Sequence, residues 1–133
     1  MKQVFKLLKD TGYGFLATVE NGKPRVRPFG LMFEEAGKLY FCTNSTKDVY
    51  KQLLVLPYIE YSATSKDMVT VRIRGEIFFS EDLDKKEKAL NSSELVKKGY
   101  KSSDNPIFKL FYINHGTAII SDFSGQPSKN IKF

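Results

Sequence analysis

The stretch YGFLATVENGKPRVRPFG, residues 13–30, alternates aromatic and β-branched residues before Asn21-Gly22 and resumes a strand-like pattern after it. Such residues suit a pleated, half-buried surface. Asn-Gly is the dipeptide that a two-residue hairpin demands, because both central positions need positive φ. The reading is therefore a strand, a tight turn and a returning strand PRVRPFGLMF, residues 24–33. Pro28 has no backbone donor, so the returning strand is not expected to be paired on both sides there. A second turn at Glu35-Ala36-Gly37 leads into KLYFCTN, residues 38–44, and the three strands are predicted to form a meander.

Upstream, Val4, Phe5, Leu7 and Leu8 fall close to one helical face, predicting a short helix that stops at Thr11-Gly12. Downstream, STKDVYKQL, residues 45–53, has Ser45 as a potential cap, Asp48 three residues later, and Val49, Leu53 and Leu54 as an apolar stripe, predicting a helix directly after the third strand. LPYIEYSAT (56–64) and MVTVRIRGEIFFS (68–80) read as strands, the second bent near Gly75. Residues 83–98 are rich in Lys, Glu, Leu and Ala and are expected to be one helix, while IFKLFYINHGTAIISDF (107–123) supplies the last strand material. The sum is about six antiparallel strands with two or three short helices, a mainly β arrangement that a barrel closes well. Regular βαβ alternation is missing, and the glycines of TGYG lack the strand and spacing of a dinucleotide or phosphate loop.

The chain has 133 residues, one cysteine and a formal net charge of +6. That length fits a single domain over 1–133, with about 126–133 expected to be a flexible tail. The charge favours an anionic partner without choosing among nucleic acid, a phosphorylated cofactor or an acidic surface. The lysines are spread along the chain and no nucleic-acid motif is present, so single-stranded nucleic-acid binding is a remote alternative and no nucleic acid is the expectation. With one cysteine no intrachain disulfide forms, and with no signal peptide or membrane span in evidence the expected location is cytoplasmic, with no membrane partner. One histidine and one cysteine assemble neither a zinc cluster nor a histidine triad, so no metal site and no catalytic side chain are nominated.

GFLATVENGKPRVRPFG, then KLYFCTNSTKDVYKQL, then VRIRGEIFF occur in an order that resembles the pyridoxamine 5'-phosphate oxidase-like family of FMN-binding split barrels. The resemblance covers most of the chain from Tyr13 to Phe79. It implies a Greek-key-like split β-barrel, a homodimer and FMN held at the subunit interface. By similarity, Arg25, Val26, Arg27, Pro28, Phe29 and Gly30 flank the flavin ring and bring a basic side chain toward the phosphate. Cys42, Thr43, Asn44, Ser45, Thr46 and Lys47 match the junction that contacts the ribityl-phosphate tail. The implied function is an FMN-dependent oxidoreductase, with NAD(P)H or another small donor and a small-molecule acceptor such as oxygen, a nitro group or a quinone. Pyridoxamine-phosphate oxidation itself is not expected, because the family's extended C-terminal substrate segment has no counterpart here. The alternative is a non-catalytic flavin carrier or sensor; F420 or haem binding are remoter ones.

The residues can be weighed separately. With Ser45 as cap, Lys47 would lie in the first helical turn, where the dipole disfavours a cation and a bound anion reverses the conflict; the competing reading is an exposed solubilising lysine. Arg27, beside Pro28, is preferred over Arg25 as a ligand. Arg72 and Arg74 share a sheet face and are as readily a solvated surface. Phe29 is either a ring contact or core, and Cys42 is expected to be a packed thiol rather than a nucleophile.

Overall fold

The computed structural model describes residues 1–133. Helix α1, Lys2–Thr11, buries Val4 and Leu8 and ends at Gly12, whose φ of 78° is unstrained only for glycine. Strands β1 (Gly14–Glu20) and β2 (Lys23–Phe29) pair in antiparallel register from Gly14↔Phe29 to Glu20↔Lys23. Asn21 and Gly22 both have positive φ, 52° and 74°, as the two-residue hairpin requires.

The returning segment does not continue as one strand to Phe33. It breaks at residues 30–32, and β3 (Phe33–Glu35) starts a separate hairpin with β4 (Lys38–Asn44). The expected three-strand meander is thus two hairpins at opposite ends of one sheet, in the order β2-β1-β5-β6-β7-β4-β3. The physical reason lies in Pro24 and Pro28: without those donors β2 offers one good hydrogen-bonding side, which β1 takes, and β2 becomes an edge.

After α2 (Asp48–Val55), strands β5 (Tyr58–Thr64) and β6 (Thr70–Ser80) form the middle of the sheet. The register of β6 against β7 (Phe108–Ser121) slips between Gly75 and Ile77, the bend expected at Gly75. A Cβ on Gly75 would lie 2.9 Å from the His115 carbonyl, so the close strand approach needs glycine. The expected helix over 83–98 is two helices, α3 (Leu83–Asn91) and α4 (Glu94–Tyr100), because Ser93 caps a new helix by accepting from the Val96 N–H at 3.3 Å. Glu35 of β3 pairs with Lys85 and Lys88 and ties α3 to the β3–β4 hairpin.

The tail expected to be flexible carries an eighth strand, β8 (Lys129–Lys132), paired with β7. Reciprocal bonds between Gly116 and Phe133, at 2.9 and 3.0 Å, extend that pairing to the last residue. The architecture is therefore a mainly β split barrel of eight antiparallel strands with four helices. Its main core gathers Val4, Leu16, Phe41, Tyr61, Ile73 and Phe111; a smaller core of Phe33, Tyr40, Leu90 and Phe108 lies under α3. Helix α2 packs on β1 and β4 and so spans the gap between non-adjacent strands. No helix is long and apolar enough to cross a membrane.

Candidate functional site

The junction of β4 and α2 is built by Asn44. Its Oδ1 accepts from the Thr46 N–H and the Thr46 hydroxyl, both at 2.8 Å, closing a side-chain turn before the helix. Ser45 does not cap: α2 starts at Asp48, Lys47 is the N-cap residue, and no side chain bonds the first-turn amides. The Asn44 turn pre-empts a Ser45 cap and moves the helix start by two residues. Lys47 consequently stands at the mouth of the helix instead of in its first turn, and Asp48 occupies the position that the dipole favours for an anion.

A cleft of about 790 Å³ opens between the exposed side of β2, the end of β4, the start of α2, and α4. That volume lies in the roughly 300–1,000 Å³ span of small-molecule and cofactor sites. Of the residues singled out in the sequence, Arg25, Val26, Arg27, Pro28, Phe29 and Gly30 of β2 and the turn after it line the cleft, together with Cys42, Thr43 and Lys47. Asn44, Ser45 and Thr46 do not. They shape the turn, and Ser45 donates its N–H to the Ile107 carbonyl at 2.9 Å.

Arg27 is engaged inside the protein. One terminal nitrogen donates to the Thr18 hydroxyl at 2.7 Å, the other to the Gln52 side-chain carbonyl at 2.8 Å. Thr18 donates to the same Gln52 oxygen at 2.5 Å, and the Gln52 amide donates to Glu20 at 2.8 Å. Thr18 and Gln52 are buried, so a satisfied polar chain joins β1, β2 and α2 across the gap in the barrel. Burial lowers the Arg27 pKa, against the opposing field of Asp48. Arg25 is exposed, 3.8 Å from Glu20, which leaves it the freer of the two arginines to meet a ligand. Arg72 and Arg74 lie away from the cleft on the outer sheet face, at 3.7 and 3.8 Å from Glu60.

Thr43 is 4% exposed, and its Oγ1 has no hydrogen-bond partner although it lines the cleft. A buried unpaired hydroxyl costs about 1–3 kcal/mol, so Thr43 carries unmet hydrogen-bonding capacity beside the cleft. Burial pushes the Cys42 thiol up to about 12 while Lys47 pulls it down, which keeps it protonated at neutral pH, as a packed thiol should be. Tyr100 is shifted up, first by burial and then by the neighbouring Cys42.

Gln52, Glu20, Asp48 and the α4 residues Leu95, Val96 and Tyr100 also line the cleft and were not foreseen. Gln52 was readable: Val49, Gln52 and Leu53 occupy the buried face of α2, and an amide on that face requires partners. No local signal brings α4 to the cleft, since that contact joins segments more than forty residues apart in sequence.

Residues 1–115, most of the chain, match the sequence pattern of the family described as pyridoxamine 5'-phosphate oxidase. The chain belongs to the pyridoxamine 5'-phosphate oxidase family. Within the solved structures, a NimC/NimA family protein from Clostridium acetobutylicum is 36% identical, with a TM-score of 0.90 over 100% of this chain and 92% of its own. Two more distant structures share the fold of this oxidase-family chain. A pyridoxamine 5'-phosphate oxidase-related, FMN-binding protein from Nostoc punctiforme is 14% identical, TM-score 0.61, covering 99% of this chain and 93% of its own. A haem-binding protein from Mycobacterium smegmatis is also 14% identical, TM-score 0.81, covering 97% of this chain and 56% of its own. No curated protein matches the sequence.

Proposed function

We propose that this chain is a cytoplasmic FMN-dependent oxidoreductase, working as a homodimer with the flavin between subunits. The observation that carries this reading is Thr43: a buried hydroxyl without a partner, in a cleft that also presents Lys47, Arg25 and the outer side of an edge strand. A phosphorylated flavin needs these features, an anion site beside a flat wall of backbone. FMN held there would supply two-electron chemistry, with a reduced nicotinamide nucleotide as donor and a small molecule as acceptor.

The protein's own part is binding and orientation. Lys47 and Arg25 are the cations for the phosphate, and the Thr43 hydroxyl completes a hydrogen bond to the tail. Arg27, held by Thr18 and Gln52, fixes the strand from which Pro28, Phe29 and Gly30 border the ring. A protein nucleophile is not needed, and the protonated Cys42 thiol is a wall.

The homodimer reading is supported by the outer face of the β1–β2 hairpin. Phe15 is 50% and Val26 67% exposed, and cross-strand partners Phe15↔Pro28 and Ala17↔Val26 gather them into one apolar surface. Val26 and Pro28 line the cleft as well, so a partner seated on that surface would also cover the ligand.

The test is the absorption spectrum of the copurifying ligand, followed by sedimentation of the loaded protein. An oxidised-flavin spectrum on a dimer is expected, with the bound flavin reduced on adding NAD(P)H. A Soret band would overturn the cofactor. A stable monomer of full FMN affinity would overturn the shared site, and flavin that exchanges electrons with no donor or acceptor would make the protein a carrier.

A further inference from the structure

Glu20 is an acid on the inward face of its strand. Along β1 the side chains of Leu16, Thr18 and Glu20 share one face, and the first two are buried. Arg27 and Arg25 stand opposite Leu16 and Thr18 on β2, so the same face of the hairpin carries both arginines and one carboxylate. Glu20, Arg25, Arg27 and Gln52 all line the cleft. How much positive charge the cleft shows a ligand therefore depends on how that carboxylate is divided between the arginines.

Its first engagement runs through Gln52. Arg27 can only donate and a carboxylate can only accept, so these two neighbours fix the amide between them. Its oxygen faces Arg27 at 2.8 Å, and its nitrogen faces one Glu20 oxygen at 2.8 Å. Turning the amide over would set donor against donor at Arg27 and acceptor against acceptor at Glu20. The second engagement is direct: Arg25 lies 3.8 Å from the other Glu20 oxygen, beyond hydrogen-bond length, with both side chains partly exposed. Such a pair is loose enough for an incoming anion to take Arg25 from it.

We propose that Glu20 is a specificity-determining residue of the cleft: through Gln52 it keeps Arg27 engaged inside the protein, and directly it holds Arg25 in reserve for an anionic group. The proposal deepens the flavin reading and rests on it for the identity of the ligand. A phosphate that binds takes Arg25 over from Glu20, and this exchange limits the preference for FMN over riboflavin. Glu20 thus sets which arginine the ligand meets and how strongly.

The experiment is isothermal titration of the full chain with FMN and riboflavin at about pH 8, where isolated carboxyls are ionised. Glu20→Gln keeps an acceptor for the Gln52 amide, so riboflavin affinity stays within about twofold, while FMN binds about two- to fivefold tighter because Arg25 is freed. In an Arg25→Ala background the same change leaves FMN affinity within about 1.5-fold, which separates the Arg25 pair from the general field of Asp48, the other acid of the cleft. Gln52→Glu sets two carboxylates face to face; both flavins weaken by at least about tenfold and the urea midpoint falls. Adding Glu20→Gln restores both, since the new amide donates to the new carboxylate. FMN affinity unchanged or weakened by Glu20→Gln, a gain that persists without Arg25, or a Gln52→Glu loss that Glu20→Gln does not reverse would each overturn the proposal. If neither flavin binds, the flavin reading fails and stabilisation of the fold by inorganic phosphate decides: greater in Glu20→Gln than in wild type sustains the role of Glu20, and equal stabilisation overturns it.

Discussion

Replacing Arg27 by alanine tests whether this arginine is a ligand clamp or a structural tie. The change removes two short bonds from a cationic donor, to Thr18 at 2.7 Å and to Gln52 at 2.8 Å. Bonds to charged groups contribute about 1.5–3 kcal/mol each, and partial exposure places these at the low end. The Thr18 hydroxyl still donates to Gln52 at 2.5 Å, so no buried acceptor is orphaned. The expected net loss is about 2 kcal/mol. Gln52→Ala is costlier, about 3 kcal/mol, because it removes the acceptor of both Thr18 and Arg27 and leaves a gap on the buried face of α2. The double variant should lose less than the sum, by about 1–2 kcal/mol, as members of one network do. Urea unfolding of the four proteins measures the cycle. In ligand titrations Arg27→Ala should weaken FMN and riboflavin alike. A stability change within about 0.5 kcal/mol, additivity with Gln52→Ala, and a loss confined to FMN would refute the tie and return Arg27 to the phosphate.

Three further outcomes are expected. Lys47→Ala, at an exposed cap residue with no internal partner, should weaken FMN by about tenfold while leaving riboflavin and the melting temperature unchanged in calorimetry. Thr43→Val keeps the branched shape and removes the unpaired hydroxyl, so the ligand-free protein should gain about 1 kcal/mol in thermal unfolding while FMN binding weakens. Stability should hold up to about pH 9 and then fall toward pH 12, because burial raises Cys42 from 9.0 and Tyr61 from 10.0 to about 12 and the folded state holds protons that the unfolded chain releases. Tyr61→Phe should flatten that decline in urea midpoints measured across the range. A stability rising with pH there would contradict the burial of both groups.

The parts of the fold legible in the sequence are those set by neighbouring residues. Asn21-Gly22 specified its hairpin through positive φ, Gly75 its bend through a close approach to His115, and Pro28 its edge position through a missing donor. What misled was local competition. Ser45 looked like a cap, but the adjacent Asn44 makes the better turn; residues 83–98 looked like one helix, but Ser93 restarts it. The tail carried too little apolar pattern to announce β8, whose stability comes from the edge that β7 offers.

The same division holds for the site. Residues contiguous in the chain could be nominated together: β2 with its arginines and prolines, and the β4–α2 junction with Thr43 and Lys47, are each a single segment, and both line one cleft. Which arginine remains available, which hydroxyl remains unpaired and what faces them depend on contacts between segments distant in the chain. Gln52 and Thr18 engage Arg27 because α2 spans β1 and β4, and Leu95 reaches the cleft because its helix neighbours Val96 and Tyr100 pack on the smaller core. Periodicity and turn chemistry are properties of a few successive residues, whereas the direction of a guanidinium and the far wall of a cleft are set by packing, which no local pattern encodes.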